Sequence, residues 1–257
     1  MQARIYKNQL LKTESNQKAF AVLLDPDNLT RESCLEILAL SEAHAVDYFF
    51  IGGSLVTTQN QAALIQLIKE NSQIPVILFP SNSLHIDHQA DGILLLSLIS
   101  GRNPEFLIGQ HVLAAPLLKE SPLEVIPTGY MLVDTGRQTT ASYMSGTTPL
   151  PYDKPAIAAC TAMAGELLGM KFIYIDGGSG AQKPVSPEMI AAVKKSIEIP
   201  LIIGGGINTK EKAEAALKAG ADVIVIGNQI EKDSNFLAEV SEVVRSFAVT
   251  EIQHLEQ

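Results

Sequence analysis

The sequence predicts an α/β protein, a single (β/α)8 barrel of the TIM type that is modified around its third βα unit. Three observations predict it. Short apolar runs alternate with longer amphipathic stretches from Ala19 to Phe247, as in parallel strands joined by helices. The 257 residues divide by eight into about 32 per unit, the size of one strand–helix pair, and eight such pairs favour a closed barrel over an open sheet. Glycine and carboxylate residues follow several of the apolar runs directly, at the strand ends where barrels of this kind carry their sites.

In chain order the expected strands are Ala19–Leu24, Val46–Ile51, Val76–Phe79, Gly92–Leu96, Val125–Val133, Phe172–Asp176, Leu201–Gly204 and Val223–Gly227. Several are continuous apolar runs, as expected of strands covered on both faces. The expected helices are Arg31–His44, Gln59–Asn71, Pro104–Leu118, Lys154–Leu168, Pro187–Ser196, Lys210–Ala219 and Phe236–Phe247. Asn28-Leu-Thr-Arg-Glu and Asn208-Thr-Lys-Glu supply helix starts, and Gly220 supplies a stop after Ala219. Ser81–Ala90 leaves room only for a short helical turn, so the third unit is the irregular one. Residues 1–18 are read as an N-terminal helix or extension of the one domain, 1–257. Residues 135–152 are rich in Gly, Thr, Ser and Pro, have no apolar period, and are too long for an ordinary connection. Such a segment reads as an active-site loop.

Composition excludes several classes. A net charge of −9 and a 5% aromatic content are wrong for non-specific nucleic-acid binding. Two cysteines argue against a disulfide framework. The N-terminus lacks the apolar stretch of a secretory signal and no apolar run reaches the length of a membrane span, so a soluble, cytoplasmic protein is expected.

The chemistry is sought at the strand ends. Asp25-Pro26-Asp27 follows the first strand and could present carboxylates to a hard cation such as Mg²⁺. The same residues are equally good turn and cap chemistry. Gly52-Gly53-Ser54 follows the second strand and could complete a metal shell, hold a phosphate, or simply make a tight turn. Asp176-Gly177-Gly178-Ser179-Gly180, Gly204-Gly205-Gly206 and Gly227-Asn228 follow the sixth, seventh and eighth strands. Three glycine clusters in succession point to a phosphate held by backbone N–H groups, the last two where this fold commonly places one. Asp176 could accept a proton beside that phosphate, or only order the loop. His85-Ile-Asp-His88 reads as a solvated turn. Cys160, in an apolar helix without a nearby His, reads as a buried structural thiol. The helix around Phe106–Leu118 is core, the wall of an apolar ligand groove, or a subunit contact.

These strand ends together resemble the prenylglyceryl phosphate synthase family, which includes the geranylgeranylglyceryl phosphate synthases, on its archaeal-like side. The carriers are Leu24-Asp-Pro-Asp, Ile51-Gly-Gly-Ser, Ser100-Gly-Arg-Asn-Pro-Glu, Pro127-Thr-Gly-Tyr, Gly165-Glu-Leu-Leu-Gly-Met-Lys, Tyr174-Ile-Asp-Gly-Gly-Ser-Gly-Ala, Ile203-Gly-Gly-Gly-Ile and Ile226-Gly-Asn. The resemblance implies a Mg²⁺-dependent prenyltransferase of lipid biosynthesis. The C3 hydroxyl of sn-glycerol 1-phosphate attacks C1 of a long prenyl diphosphate, geranylgeranyl diphosphate or longer, and diphosphate leaves. It implies Asp25 and Ser54 as metal ligands. It implies Tyr174, Ile175, Asp176, Gly177, Gly178, Ser179, Gly180, Gly205, Gly206, Gly227 and Asn228 as the glycerol phosphate site, with Asp176 as the catalytic acid–base. It also implies a homo-oligomer, dimer or hexamer, and a transient contact of the lipid product with a membrane surface. The chain departs from the family pattern in three places. Asp176 stands where Glu is usual, one methylene longer, so proton abstraction could be direct or pass through a water. Asn28 stands for a common Lys, and Leu23 occupies the place of a phosphate-contacting Lys in one bacterial branch. A phosphosugar isomerase or cyclase on a phosphate-binding barrel explains the glycine clusters equally well, and a non-catalytic phosphometabolite binder is a third reading.

Overall fold

A computed structural model describes residues 4–53, 60–81 and 85–249. Eight parallel strands close into a barrel in sequence order. They are β1 Ala19–Leu24, β2 Tyr48–Gly52, β3 Val76–Phe79, β4 Gly92–Leu98, β5 Glu124–Leu132, β6 Phe172–Asp176, β7 Leu201–Gly204 and β8 Val223–Ile226. The helices are α1 Arg4–Glu14, α2 Arg31–Ala43, α3 Gln61–Asn71, α4 Gln110–Glu120, α5 Thr140–Ser145, α6 Pro155–Leu167, α7 Pro187–Lys194, α8 Lys210–Lys218, α9 Asn228–Lys232 and α10 Phe236–Val249. None among the described residues is long and apolar enough to cross a membrane.

Strand alternation divides the core in two. Ala21, Phe50, Ile77, Leu94, Ile126, Tyr174 and Val225 turn into the barrel. Val22, Ile51, Leu78, Ile93, Ile175 and Ile226 turn outward against the helices. The expected caps form: Thr30 accepts from the Ser33 N–H at the start of α2, and Thr209 accepts from that of Lys212 at the start of α8.

One end of the barrel is closed by α1. The Glu124 carboxylate accepts from the N–H groups of Ile5 and Tyr6 (2.8 and 2.9 Å), which the first helical turn cannot satisfy itself. Ile5 enters the barrel where Gly92 leaves room: a Cβ added to Gly92 would stand 2.8 Å from Ile5 Cδ1. The open end is therefore the one bearing the C-terminal ends of the strands.

The third unit is the irregular one. β3 and β4 pair through only two residue pairs, Ile77 with Gly92 and Leu78 with Ile93, as do β7 and β8, whereas β4 and β5 pair through seven. The connection from Phe79 to Gly92 carries no α-helix among its described residues. The helix expected from Pro104 begins instead with a wide turn, Glu105–Gly109, and becomes regular only from Gln110.

Candidate functional site

The loop after β6 is drawn tightly over β7. The Asp176 carboxylate is buried at the mouth and held at both oxygens. Tyr130 donates its hydroxyl to Oδ2 at 2.6 Å, and the Gly178 N–H donates to Oδ1 at 2.7 Å. Burial pushes the Asp176 carboxyl above the usual range, and those two hydrogen bonds pull it partly back. Gly205 is required here. Its φ is +79°, and a Cβ would stand 2.6 Å from Asp176 Oδ1 and from the Gly177 nitrogen. Asn228 Nδ2 donates to Ser179 Oγ at 3.1 Å, which ties the end of β8 to the same loop.

Across the mouth stands Asp25. Its Oδ1 accepts from the Asp27 N–H (3.0 Å) and its Oδ2 from Asn28 Nδ2 (3.1 Å). The turn thus fixes the carboxylate while leaving lone pairs on both oxygens. Gly53 lies directly beneath it: a Cβ there would stand 3.0 Å from Asp25 Oδ2. Glu231 on α9 accepts from the Asp25 backbone N–H at 3.1 Å. Burial raises the pKa of both carboxyls, and each is raised further by a neighbouring acid, Asp27 for Asp25 and Asp25 for Glu231. The Asp27 and Asp25 N–H groups oppose the respective rises. Hard, partly desolvated carboxylate oxygens suit Mg²⁺. Among the described residues no group of three or more His, Cys, Asp or Glu could hold a metal. A Mg²⁺ here would take one or two protein oxygens and draw the rest from substrate and water, the usual manner of that ion. Ser54, the second expected ligand, lies outside the described residues.

Both sides face one cavity of about 620 Å³, lined by Asp25, Tyr174, Asp176, Gly178, Ser179, Gly180, Gly205, Gly206, Gly227 and Asn228. Two expected substrate residues stand apart from it. Ile175 turns its side chain into the outer core, because alternation sends it opposite to Tyr174 and Asp176. Gly177 is engaged within the protein: its N–H donates to the Gly204 carbonyl, and its carbonyl accepts from the Thr135 hydroxyl.

A second, narrower slot of about 140 Å³ opens from the first. Gly53 and Phe79 line both. The slot runs between β4 and α4, past Ile93, Leu95, Phe106, Ala114 and Leu118, with Met144 of α5 on its rim. It exists because no α-helix among the described residues between β3 and β4 covers the outward faces of Ile93 and Leu95. The helix around Phe106–Leu118 therefore walls a groove, one of its three sequence readings. At the junction Phe79, Tyr130 and Tyr174 form an aromatic trio with centroids 5.3 to 5.8 Å apart.

Four residues escaped the sequence reading. Tyr130 lay within the Pro127-Thr-Gly-Tyr motif, but only the β5–β6 register brings it to Asp176. Glu231 sits on the short helix after β8. Phe79 ends β3, and Arg137 comes from the loop over the mouth. Cys160 is a correction. It is exposed, not buried, because α6 buries Ala158, Ala159, Ala162 and Gly165 and leaves Cys160 on the opposite side with Ile157. The His85 ring makes a 3.2 Å contact with Ser81 Oγ through Nδ1.

A family model described as the PcrB family matches residues 10–245. The geranylgeranylglyceryl phosphate synthase of Spirosoma linguale is 58% identical over 93% of this chain and 96% of its own. That of the archaeon Thermococcus gammatolerans is 44% identical over 88% of each. Among solved structures, (S)-3-O-geranylgeranylglyceryl phosphate synthase from Thermoplasma acidophilum, in complex with sn-glycerol-1-phosphate, superposes with a TM-score of 0.88 at 32% identity, covering 96% of this chain and all of the other.

Proposed function

The chain belongs to the PcrB family, and from that premise we propose that it joins a long prenyl diphosphate to the C3 hydroxyl of sn-glycerol 1-phosphate. It is a prenyltransferase; the identity of its two substrates and its use of Mg²⁺ are the proposal. One observation carries it: a polar cavity with a buried carboxylate and a narrow apolar slot share the wall formed by Gly53 and Phe79. A phosphosugar isomerase has use for the first and none for the second.

The glycerol phosphate sits on the glycine loops after β6, β7 and β8, where backbone groups and the Asn228 amide face it. Asp176 accepts the proton of the C3 hydroxyl as its oxygen attacks C1 of the prenyl chain, the C1–O bond breaks, and diphosphate departs. The raised pKa of Asp176 makes it a stronger base than an exposed carboxylate. Tyr130 holds that carboxylate in place. The prenyl tail lies in the slot, and the Phe79–Tyr130–Tyr174 trio walls the reacting carbon from water, which would otherwise capture an allylic cation. Asp25 would hold Mg²⁺ with Ser54. Bound there, Mg²⁺ supplies the positive charge that a diphosphate leaving group needs in an acidic chain.

The lipid product gives a reason for contact with a membrane surface. The exposed Ile108, Val112, Leu113 and Leu117 beside the slot offer an apolar face for it.

The test is incubation of the protein with labelled sn-glycerol 1-phosphate, geranylgeranyl diphosphate and Mg²⁺. Label should pass into the organic phase, and should stay aqueous when Mg²⁺ is chelated. Label that remains aqueous in the complete mixture contradicts the proposal.

A further inference from the structure

Backbone groups and neutral side chains supply most of the phosphate end of the polar cavity, although the chain carries a net charge of −9. The loop after β5 adds a charge there. Residues 135–139 lie against the glycine loop at four points. Thr135 Oγ1 donates to the Gly177 carbonyl at 3.0 Å. Gly136 faces Gln182 Oε1, and Thr139 packs on Gly178, at 2.9 and 2.6 Å from where a Cβ would stand on each glycine. Between them the guanidinium of Arg137 lies over Gly180, with Nη2 3.4 Å from the position of a Cβ there. Gly180 has φ +72° and no side chain to lift the guanidinium away. Arg137 lines the cavity together with Thr140, Ser179 and Asn228.

Two cations line this cavity, Arg137 and Lys232. Lys232 lies in the field of Glu231, on the side of the two carboxylates. Arg137 stands over the glycine loop, and no ion pair engages it among the described residues. The cavity thus carries acids at the ends of β1, β6 and β8, and Arg137 is the cation that stands over the loop after β6.

We propose that Arg137 is a substrate-binding residue that closes over the phosphate of glycerol phosphate, supplying from above the charge that the glycine loops lack. The inference rests on the function proposed above. A guanidinium fork matches two phosphate oxygens at once. The contacts of Thr135, Gly136 and Thr139 hold its backbone in place before substrate arrives, which lowers the entropy cost of binding.

Calorimetric titration of sn-glycerol 1-phosphate, without prenyl donor, tests it on four proteins: wild type, Arg137→Ala, Arg137→Lys and Lys154→Ala. Lys154 is an exposed cation whose partner is the neighbouring Asp153, so its variant controls for net charge. Arg137→Ala should weaken binding about tenfold, the scale of one charge-assisted contact. Arg137→Lys should fall between, and Lys154→Ala should titrate as wild type. In turnover, Arg137→Ala should raise the KM for glycerol phosphate and leave that for the prenyl diphosphate unchanged. Equal titration by wild type and Arg137→Ala overturns the inference alone. A raised KM for the prenyl diphosphate with unaltered glycerol phosphate binding also overturns it, by giving the guanidinium to the other substrate. A wild-type protein that takes up no glycerol phosphate overturns the functional reading, and this inference with it.

Discussion

The late and early sides of the barrel are built on opposite plans. Strand pairing is alike on both, falling from four residue pairs to two between β6 and β8 and again between β2 and β4. What differs is the cover: after β6 and β7 glycines at positive φ lay backbone against backbone, whereas no α-helix among the described residues covers the outward face of β4. On the proposed function the difference follows from the two ligands. A phosphate is held by directional donors, which must be fixed before it arrives. A hydrocarbon chain is held by apolar area, which needs only a bare strand face and a helix set back from it. One barrel serves both by being rigid on one side and open on the other, and Phe79 stands where the two plans meet.

Substitutions can set the two sides against each other. On the late side, Asp176→Ala should cost about 10²–10⁴-fold in kcat, the range for a lost general base, while calorimetry still finds glycerol phosphate bound. An unchanged kcat would return Asp176 to ordering the loop. Gly205→Ala should both destabilise the fold, by about 1–3 kcal/mol for a residue held at positive φ against close neighbours, and lose glycerol phosphate binding. Gly169, at φ +88° with nothing near its Cβ position, is the matched control. Gly169→Ala should lower the melting temperature by a smaller amount and leave binding intact. Equal behaviour of the two alanines would mean that the packing around Gly205 is irrelevant to the ligand.

At the junction, Tyr130→Phe should slow turnover by about 10- to 150-fold, since one hydrogen bond to a charged group is worth about 1.5–3 kcal/mol. Its pH dependence has a definite sign. Burial raises the Asp176 carboxyl and the Tyr130 hydroxyl lowers it, so removing the hydroxyl leaves the carboxyl higher still. A base must be ionised to act, so the acid limb of kcat/KM should move to higher pH. A limb that stays put or moves down would separate Tyr130 from the proton transfer. On the early side, Ala114→Phe should have the smallest effect on chemistry. It fills the slot, so the preferred prenyl donor should become shorter, as a ladder of prenyl diphosphates with product mass spectrometry would reveal. The affinity for glycerol phosphate should not change.

Much of the fold was legible because its signals are local. Continuous apolar runs mark buried parallel strands, and the expected bounds of β1, β3, β6 and β7 match those found. The glycine clusters were legible too, since close backbone approach leaves a mark in residue type. Contacts set by register were not. Glu231 meets Asp25 across 206 residues and Tyr130 meets Asp176 across 46, and neither spacing has a local signature. The outward turn of the Ile175 side chain was legible, because strand alternation already places it opposite Asp176. Cys160 is exposed although its neighbours are apolar, because α6 leaves apolar side chains such as Ile157 and Leu167 on its outer face too, and residue type alone does not say which apolar face is buried. The slot was only half readable: the missing helix could be counted, but not what its absence uncovers.

A crystal structure with sn-glycerol 1-phosphate, Mg²⁺ and an unreactive prenyl diphosphate analogue would test the shared wall most directly. The glycerol C3 oxygen should lie about 3–3.5 Å from prenyl C1, the separation of reacting atoms poised for attack, beside Phe79 and Asp176, with the metal on Asp25 and the tail between β4 and α4. A tail that leaves by any other route, or a C3 hydroxyl turned away from Asp176, would contradict it.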